Sequence, residues 1–151
     1  MSVCASAGVD IATLAAGFLA HGRTIKFSAP GGSMRPTIRG GEVIHVEPVR
    51  PAAIAAGDII LFHQGTRIVA HRVVRVAQSG GVRAFLTRGD AAFAADPWVV
   101  AGAVMGRVIA VERGGRTVDL AAAGSVWSGR LGRCMAVARV AVRRLSSVFL
   151  G

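Results

Sequence analysis

The sequence predicts a mainly β fold, in which one barrel-like β-sheet domain carries a helical segment at each end. Between residues 24 and 120, short β-branched runs alternate with glycine and proline, a pattern typical of strands joined by turns. The flanking segments instead have apolar residues at helical spacing. A chain of 151 residues has the size of one ordinary domain. We therefore divide the chain into an N-terminal amphipathic helical segment (1-23), a β domain (24-120) and a basic amphipathic C-terminal helix (121-151).

The N-terminal segment is apolar but does not have the pattern of a secretory signal. It contains Asp10 and has no basic start, which makes it a weak candidate for a membrane span. Its larger apolar residues have the spacing of a short amphipathic helix: Val9, Ile11, Leu14, Phe18 and Leu19. We expect this helix to pack on the protein or to lie at a membrane surface.

Seven strands are predicted in the β domain. They are Thr24 to Ser28, Val43 to Glu47, Asp58 to His63, Arg67 to Ala77, Val82 to Thr87, Ala103 to Glu112 and Arg116 to Leu120. Glycines predict three hairpin turns between them, because glycine adopts the positive φ that tight turns require. These turns are Gln64-Gly65-Thr66, Ser79-Gly80-Gly81 and Gly114-Gly115.

The C-terminal segment combines apolar and basic residues. Large apolar residues from Trp127 to Phe149 alternate with arginines from Arg130 to Arg144, as in a basic amphipathic helix. Two interpretations stay open, namely packing against the body of the protein and binding to an anionic membrane surface.

The net charge of +10 favours anionic partners such as lipid headgroups. However, the 17 arginines are spread along the chain, which favours a solvated basic surface over specific nucleic-acid binding. Cys4 and Cys134 are the only cysteines and have no metal-ligand spacing around them, so neither a disulfide framework nor a zinc site is expected.

One turn can present a reactive hydroxyl. In Gly31-Gly32-Ser33-Met34-Arg35-Pro36, two glycines free the backbone before the serine, and a proline fixes φ three residues after it. A serine hydroxyl is a poor nucleophile by itself and requires a base within hydrogen-bond reach. Without such a base the segment is an ordinary loop.

His71 is the candidate base, and two aspartates are candidates for orienting it. His71 lies inside the strand pattern from Ile68 to Val74, where a core histidine with satisfied hydrogen bonds is the alternative. Both faces of this strand are apolar, so the alternation does not show which face forms a pocket. Asp90 and Asp96 follow the next strand, and a carboxylate near imidazole holds its tautomer. Asp90 follows a glycine and equally suits a turn cap.

In this order, these elements resemble the serine peptidases of the signal peptidase I and LexA-repressor superfamily. The resemblance covers residues 24 to about 120 and rests on five ordered landmarks. These are Ser33-Met34-x-Pro36, Gly57-Asp58-Ile59-Ile60, His71-Arg72-Val73, Gly89-Asp90 with Asp96, and Gly106-Arg107-Val108. It implies the signal-peptidase/LexA fold and a serine endopeptidase that cleaves signal or leader peptides of preproteins without a metal or cofactor.

Within this superfamily, the chain is similar to the histidine-type branch found in the endoplasmic reticulum, archaea and sporulating bacteria. Other branches use a lysine base on the strand after the serine, whereas Lys26 precedes the serine here. The resemblance therefore implies Ser33 as nucleophile, His71 as base and Asp96 as the orienting acid, with Asp90 as the second choice. We expect the substrate beside Gly32, Met34 and Pro36. Met34 follows the nucleophile, and its flexible thioether suits a binding cleft; core filling is the alternative.

Two departures from the family pattern support another function. Gly31 stands where many relatives carry a serine that helps to hold the oxyanion, and no clear membrane anchor is present. The alternative is a non-catalytic membrane- or nucleic-acid-binding module on the same fold. A self-cleaving LexA-like regulator fits less well, since the lysine base and a separate DNA-binding domain are missing. For an active peptidase we expect peripheral membrane association, with a cytoplasmic location as the alternative.

Overall fold

The computed structural model describes residues 11–121 of the chain. This part contains one α-helix, eight β-strands and two short 3-10 helices, at Pro51–Ala53 and Ala101–Ala103. The helix α1 spans Ile11–Ala20. The strands are β1 (Ile25–Ala29), β2 (Glu42–Glu47), β3 (Ile59–Gln64), β4 (Arg67–Ser79), β5 (Val82–Arg88), β6 (Val99–Val100), β7 (Val104–Arg113) and β8 (Arg116–Asp119).

All eight strands belong to one antiparallel sheet, which confirms the mainly β fold class. The strand order is β1-β2-β7-β3-β4-β5-β6, and β8 pairs with β7. Each of the seven predicted strands is present, with no end displaced by more than two residues, whereas the short strand β6 was not predicted. The sheet is open among the described strands, with β1 and β6 at its two ends, so the barrel-like closure we expected is not observed.

The central strand β3 separates two hydrophobic cores. Ile59 and Leu61 belong to one core, which also contains Val108 and Leu19, whereas Ile60 and Phe62 belong to the other. Because successive side chains point to opposite faces, every residue from Ile59 to Phe62 is buried. This explains why β3 reads as a continuous apolar run, with no polar alternation.

Helix α1 packs through its small residues. Its buried positions are Ala12, Ala15 and Leu19, spaced along one face, and the helix contacts β1 and β7. In contrast, Ile11, Leu14 and Phe18 are about half exposed. The helix confirms the predicted helical periodicity over these residues, and it packs on the sheet through Ala12, Ala15 and Leu19, with the other large apolar residues on its exposed side.

The three predicted hairpin turns are confirmed. Gly65 has φ of 62°, and the Gly80-Gly81 and Gly114-Gly115 pairs have positive φ at both residues, as two-residue hairpin loops require. These turns fix the pairing of β3 with β4, β4 with β5 and β7 with β8. The predicted C-terminal helix and residues 1–10 lie outside the described residues.

Candidate active site

Ser33 and His71 meet in the folded chain, although 37 residues separate them in sequence. Ser33 lies in the turn between β1 and β2, and its Oγ is 3.0 Å from Nε2 of His71 on β4. His71 pairs with Ile60 in the sheet, and its ring meets the Phe62 ring edge-on with 6.2 Å between centroids. The face that the sequence left undecided is therefore the face shared with Ile60 and Phe62.

Asp96 completes a line of three side chains. Its Oδ2 lies 2.6 Å from Nδ1 of His71. An ionised carboxylate only accepts hydrogen bonds, so Nδ1 carries the proton and Nε2 is the acceptor of a neutral imidazole. The Ser33 hydroxyl therefore donates a hydrogen bond to Nε2. Imidazole and carboxylate are mostly shielded from water, with side-chain exposures of 11% and 17%, whereas Ser33 is exposed.

Thr87 holds Asp96 in place, a role that the sequence analysis did not predict. Its Oγ1 donates to Asp96 Oδ2 at 2.7 Å, and its carbonyl oxygen accepts the backbone N–H of Asp96 at 2.8 Å. Thr87 is fully buried at the end of β5. The two bonds fix both the backbone and the carboxylate of Asp96. The sequence around Thr87 gives little signal for this role, because a single threonine two residues before Gly89 does not form a motif.

Gly89 allows the serine turn to approach the end of β5. A Cβ at this position would lie 2.6 Å from the Ser33 carbonyl oxygen, 3.1 Å from Ser33 Cβ and 3.2 Å from His71 Nε2. These distances are shorter than ordinary van der Waals contacts. The loop after Gly89 is tied to the same turn, since the N–H of Ala91 donates to the Ser33 carbonyl at 2.8 Å. Only glycine fits between Ser33 and His71 without displacement.

Asp90, the second candidate for orienting His71, binds Arg72 instead. Arg72 Nε and Nη2 each lie 2.8 Å from an oxygen of this carboxylate, and Thr37 Oγ1 donates to it as well. The Arg72 and Asp90 side chains are only 2% and 3% exposed, and Arg72 Nη1 also donates to the Gly57 carbonyl at 2.7 Å. Because β4 alternates faces, His71 and Arg72 serve opposite sides of the sheet. Asp90 therefore joins the serine turn to β4 and has no contact with the imidazole.

The three predicted substrate-contacting residues separate into two groups. Gly32 and Pro36 are exposed next to Ser33. Met34 is only 4% exposed and packs in the core with Ile38 and Ile44. The Met34 side chain therefore has the position of the core-filling alternative, and it anchors the serine turn to the core.

A second ion pair supports the serine turn from β7. Arg113 makes a bidentate contact with Glu42, at 2.6 and 2.8 Å, and donates to the Thr37 carbonyl at 3.0 Å. These hydrogen bonds from Arg113, with a further one from the backbone N–H of Arg39, hold the pKa of Glu42 at about 2, although partial burial opposes this shift. Glu42 therefore stays ionised and keeps Arg113 in position.

Lys26 and the other histidines are not part of the candidate site. Lys26 and His45 both contact the same oxygen of Glu112, at 2.6 and 2.7 Å. These hydrogen bonds, with that of Lys26 the stronger influence, lower the pKa of Glu112. His63 is exposed on β3, and His21 contacts the Gly17 carbonyl at the end of α1.

Comparison of the chain with protein-family models, with curated proteins and with solved structures found no match. Within residues 11–121, no helix has the length and apolar character needed to cross a membrane.

Proposed function

We propose that this protein is a serine endopeptidase that cleaves signal or leader peptides, on a fold of the signal-peptidase/LexA type. The observation that carries the proposal is the continuous hydrogen-bonded line from Ser33 Oγ through His71 to Asp96. Three segments that are distant in sequence come together to form this arrangement. It combines a nucleophile, a base and an acid that orients the base. The five ordered sequence landmarks support the same conclusion independently of the distances.

The reaction is acyl transfer to Ser33 followed by hydrolysis. Ser33 Oγ attacks the peptide carbonyl carbon while His71 Nε2 takes the hydroxyl proton, and Asp96 stabilises the imidazolium. The C–N bond then breaks, and His71 gives this proton to the leaving amine, which leaves an ester on Ser33. A water molecule attacks the ester, again losing its proton to His71, and the proton returns to Ser33 as the acid product leaves. The backbone N–H of Ser33 is the proposed donor to the oxyanion.

The decisive experiment is cleavage of a panel of signal and leader peptides, in detergent and in vesicles, by the native protein and its Ser33→Ala and His71→Ala variants. We expect cleavage by the native protein only. Ser79→Ala and His63→Ala are matched controls, since both residues are exposed and lie away from the line of three side chains; they should retain full activity. Cleavage that persists in the Ser33→Ala variant contradicts the proposal, and so does a folded native protein that cleaves no peptide.

We also propose that the protein binds the surface of an anionic membrane. The half-exposed Ile11, Leu14 and Phe18 share one stripe of α1, and the net charge of +10 favours anionic headgroups. The test is co-sedimentation with vesicles that contain anionic lipid. Phe18→Ser should weaken binding, whereas Val82→Ser, a similarly exposed apolar residue on β5, should not. Equal binding by both variants contradicts a role for the stripe.

A further inference from the structure

The loop between Asp90 and Asp96 has an unusual surface. Its five residues are all apolar, Ala91-Ala92-Phe93-Ala94-Ala95, and only Ala92 is partly buried. Phe93 has a relative exposure of 102%, as much as in an unfolded chain, whereas the other large exposed apolar residues described lie between 38% and 52%. A run of exposed apolar residues is unfavourable for solubility unless it contacts a partner.

Both ends of this loop are fixed to the candidate active site. At one end, the N–H of Ala91 donates to the Ser33 carbonyl at 2.8 Å. At the other end, Asp96 contacts His71 and is held by Thr87. The loop therefore forms part of the rim around Ser33, and any peptide that reaches Ser33 passes close to it.

The length of the loop limits which part of a substrate Phe93 can contact. Phe93 lies two residues beyond Ala91, so their Cα atoms are at most about 7 Å apart. An extended peptide advances about 3.3 Å per residue, and three residues therefore span about 10 Å. If a substrate with its carbonyl carbon at Ser33 runs along this loop, the side chains within reach of Phe93 are those within about three residues of the cleaved bond.

We propose that Phe93 contacts an apolar side chain of the substrate, within three residues of the cleaved bond, and so contributes to specificity. This inference rests on the proposed function. The loop 91–95 has no charged or hydrogen-bonding side chain, so it offers no group that would select an acidic, basic or amide side chain. The neighbouring alanines are short and leave both faces of the phenyl ring accessible, which suits contact with a branched aliphatic or aromatic side chain.

The test compares native protein with Phe93→Ala and Phe93→Leu on peptides that carry leucine or serine at each of the three positions on either side of the cut. We expect kcat/KM of Phe93→Ala to fall about tenfold for the leucine peptide at one position, mainly through a higher KM. For the serine peptide, it should change little. Phe93→Leu should retain most of the preference. Hydrolysis of a small activated ester, which does not reach the loop, should be unchanged. Val118→Ala, at an exposed apolar residue on β8, is the matched control.

Three outcomes overturn this inference. If Phe93→Ala keeps the native preference for leucine at every position while the native protein is active, the proposed function stands and the role of Phe93 does not. If Phe93→Ala loses vesicle binding but cleaves peptides normally without lipid, the loop contacts lipid and not substrate. If the native protein hydrolyses neither ester nor peptide, the proposed function fails and this inference fails with it. A thermal melt of each variant verifies folding.

Discussion

The narrow space around Gly89 makes one substitution especially informative. In Gly89→Ala, the new methyl group would lie 2.6 Å from the Ser33 carbonyl oxygen, and ordinary contact begins at 3.4 Å. The serine turn or the end of β5 must therefore move by about 0.8 Å. Gly89 does not have a positive φ, so the effect is steric and not a backbone penalty. Because the methyl also crowds His71 Nε2, at 3.2 Å, the displacement acts directly on the Ser33–His71 hydrogen bond.

We expect Gly89→Ala to lower kcat for peptide cleavage about a hundredfold, since a displacement of about 1 Å in a reacting group has an effect of this size. Overpacking of this kind also lowers the free energy of unfolding by about 1–3 kcal/mol. The assay is steady-state cleavage, with kcat calculated per folded molecule after chemical denaturation has established the folded fraction.

Two other glycines separate the catalytic effect from a loss of stability. At Gly102, an added Cβ has nothing within 4 Å, so Gly102→Ala should leave both activity and stability near native values. At Gly106, it would lie 2.6 Å from the Glu47 carbonyl oxygen, so Gly106→Ala should lower stability but preserve kcat per folded molecule. Native kcat in folded Gly89→Ala, or an equal loss of kcat in Gly106→Ala, would refute the steric argument.

Three further predictions concern residues around the serine turn. Thr87→Val should lower kcat about tenfold, because Asp96 loses its hydroxyl donor. Thr87→Ser keeps a hydroxyl, so its kcat, measured across a pH–rate profile, should be close to that of the native protein. Gly31→Ser should raise kcat about tenfold or more by adding an oxyanion donor, since a side chain at Gly31 meets nothing within 4 Å. Glu42→Gln should lower the free energy of unfolding at pH 7 by about 1 kcal/mol. The pKa of Glu42 is lowered from 4.5 to about 2, so its stabilisation is complete above pH 4.5 and disappears as the pH falls through 2.

Each of these predictions has a direct contradiction. Equal activity of Thr87→Val and native protein at every pH would show that the hydroxyl does not position Asp96. An equal gain in kcat in Gly31→Ala and Gly31→Ser would show that the effect comes from restricting the backbone at this position, and not from a hydroxyl donor. For Glu42→Gln, denaturation should show a stability difference from native protein that shrinks between pH 7 and pH 2; a constant difference contradicts the argument.

The sequence predicted the strands well because β-branched runs and paired glycines are local signals. Gly80-Gly81 and Gly114-Gly115 needed no tertiary information, since positive φ at two successive residues favours glycine strongly. The closeness of Ser33, His71 and Asp96 was expected only from the order of the landmarks. No local rule brings these residues together, and their contact depends on which strands pair.

The features that the sequence analysis left open or missed depend on tertiary packing. The packing face of α1 is made of alanines because close approach to the sheet favours small side chains over large ones. The burial of Met34 follows from the direction in which the serine turn leaves the sheet, which the residues 31–36 do not encode. Thr87 is a buried threonine in a strand with no neighbouring motif, and its role appears only when Asp96 is in place.

The adjacent positions of His71 and Arg72 link the proposed catalysis to the correct pairing of β4. A slip of β4 by one residue would exchange their faces, because the side-chain direction alternates along a strand. A slip that puts the imidazole in the place of Arg72 would bring it to Asp90 and the Gly57 carbonyl, where it cannot replace the hydrogen bonds that the guanidinium makes to both, and would leave no imidazole beside Ser33. A misaligned sheet would thus lose its base and leave a buried carboxylate without its cation at the same time. Peptide cleavage by this protein would therefore serve as a sensitive report on the fidelity of its strand alignment during folding.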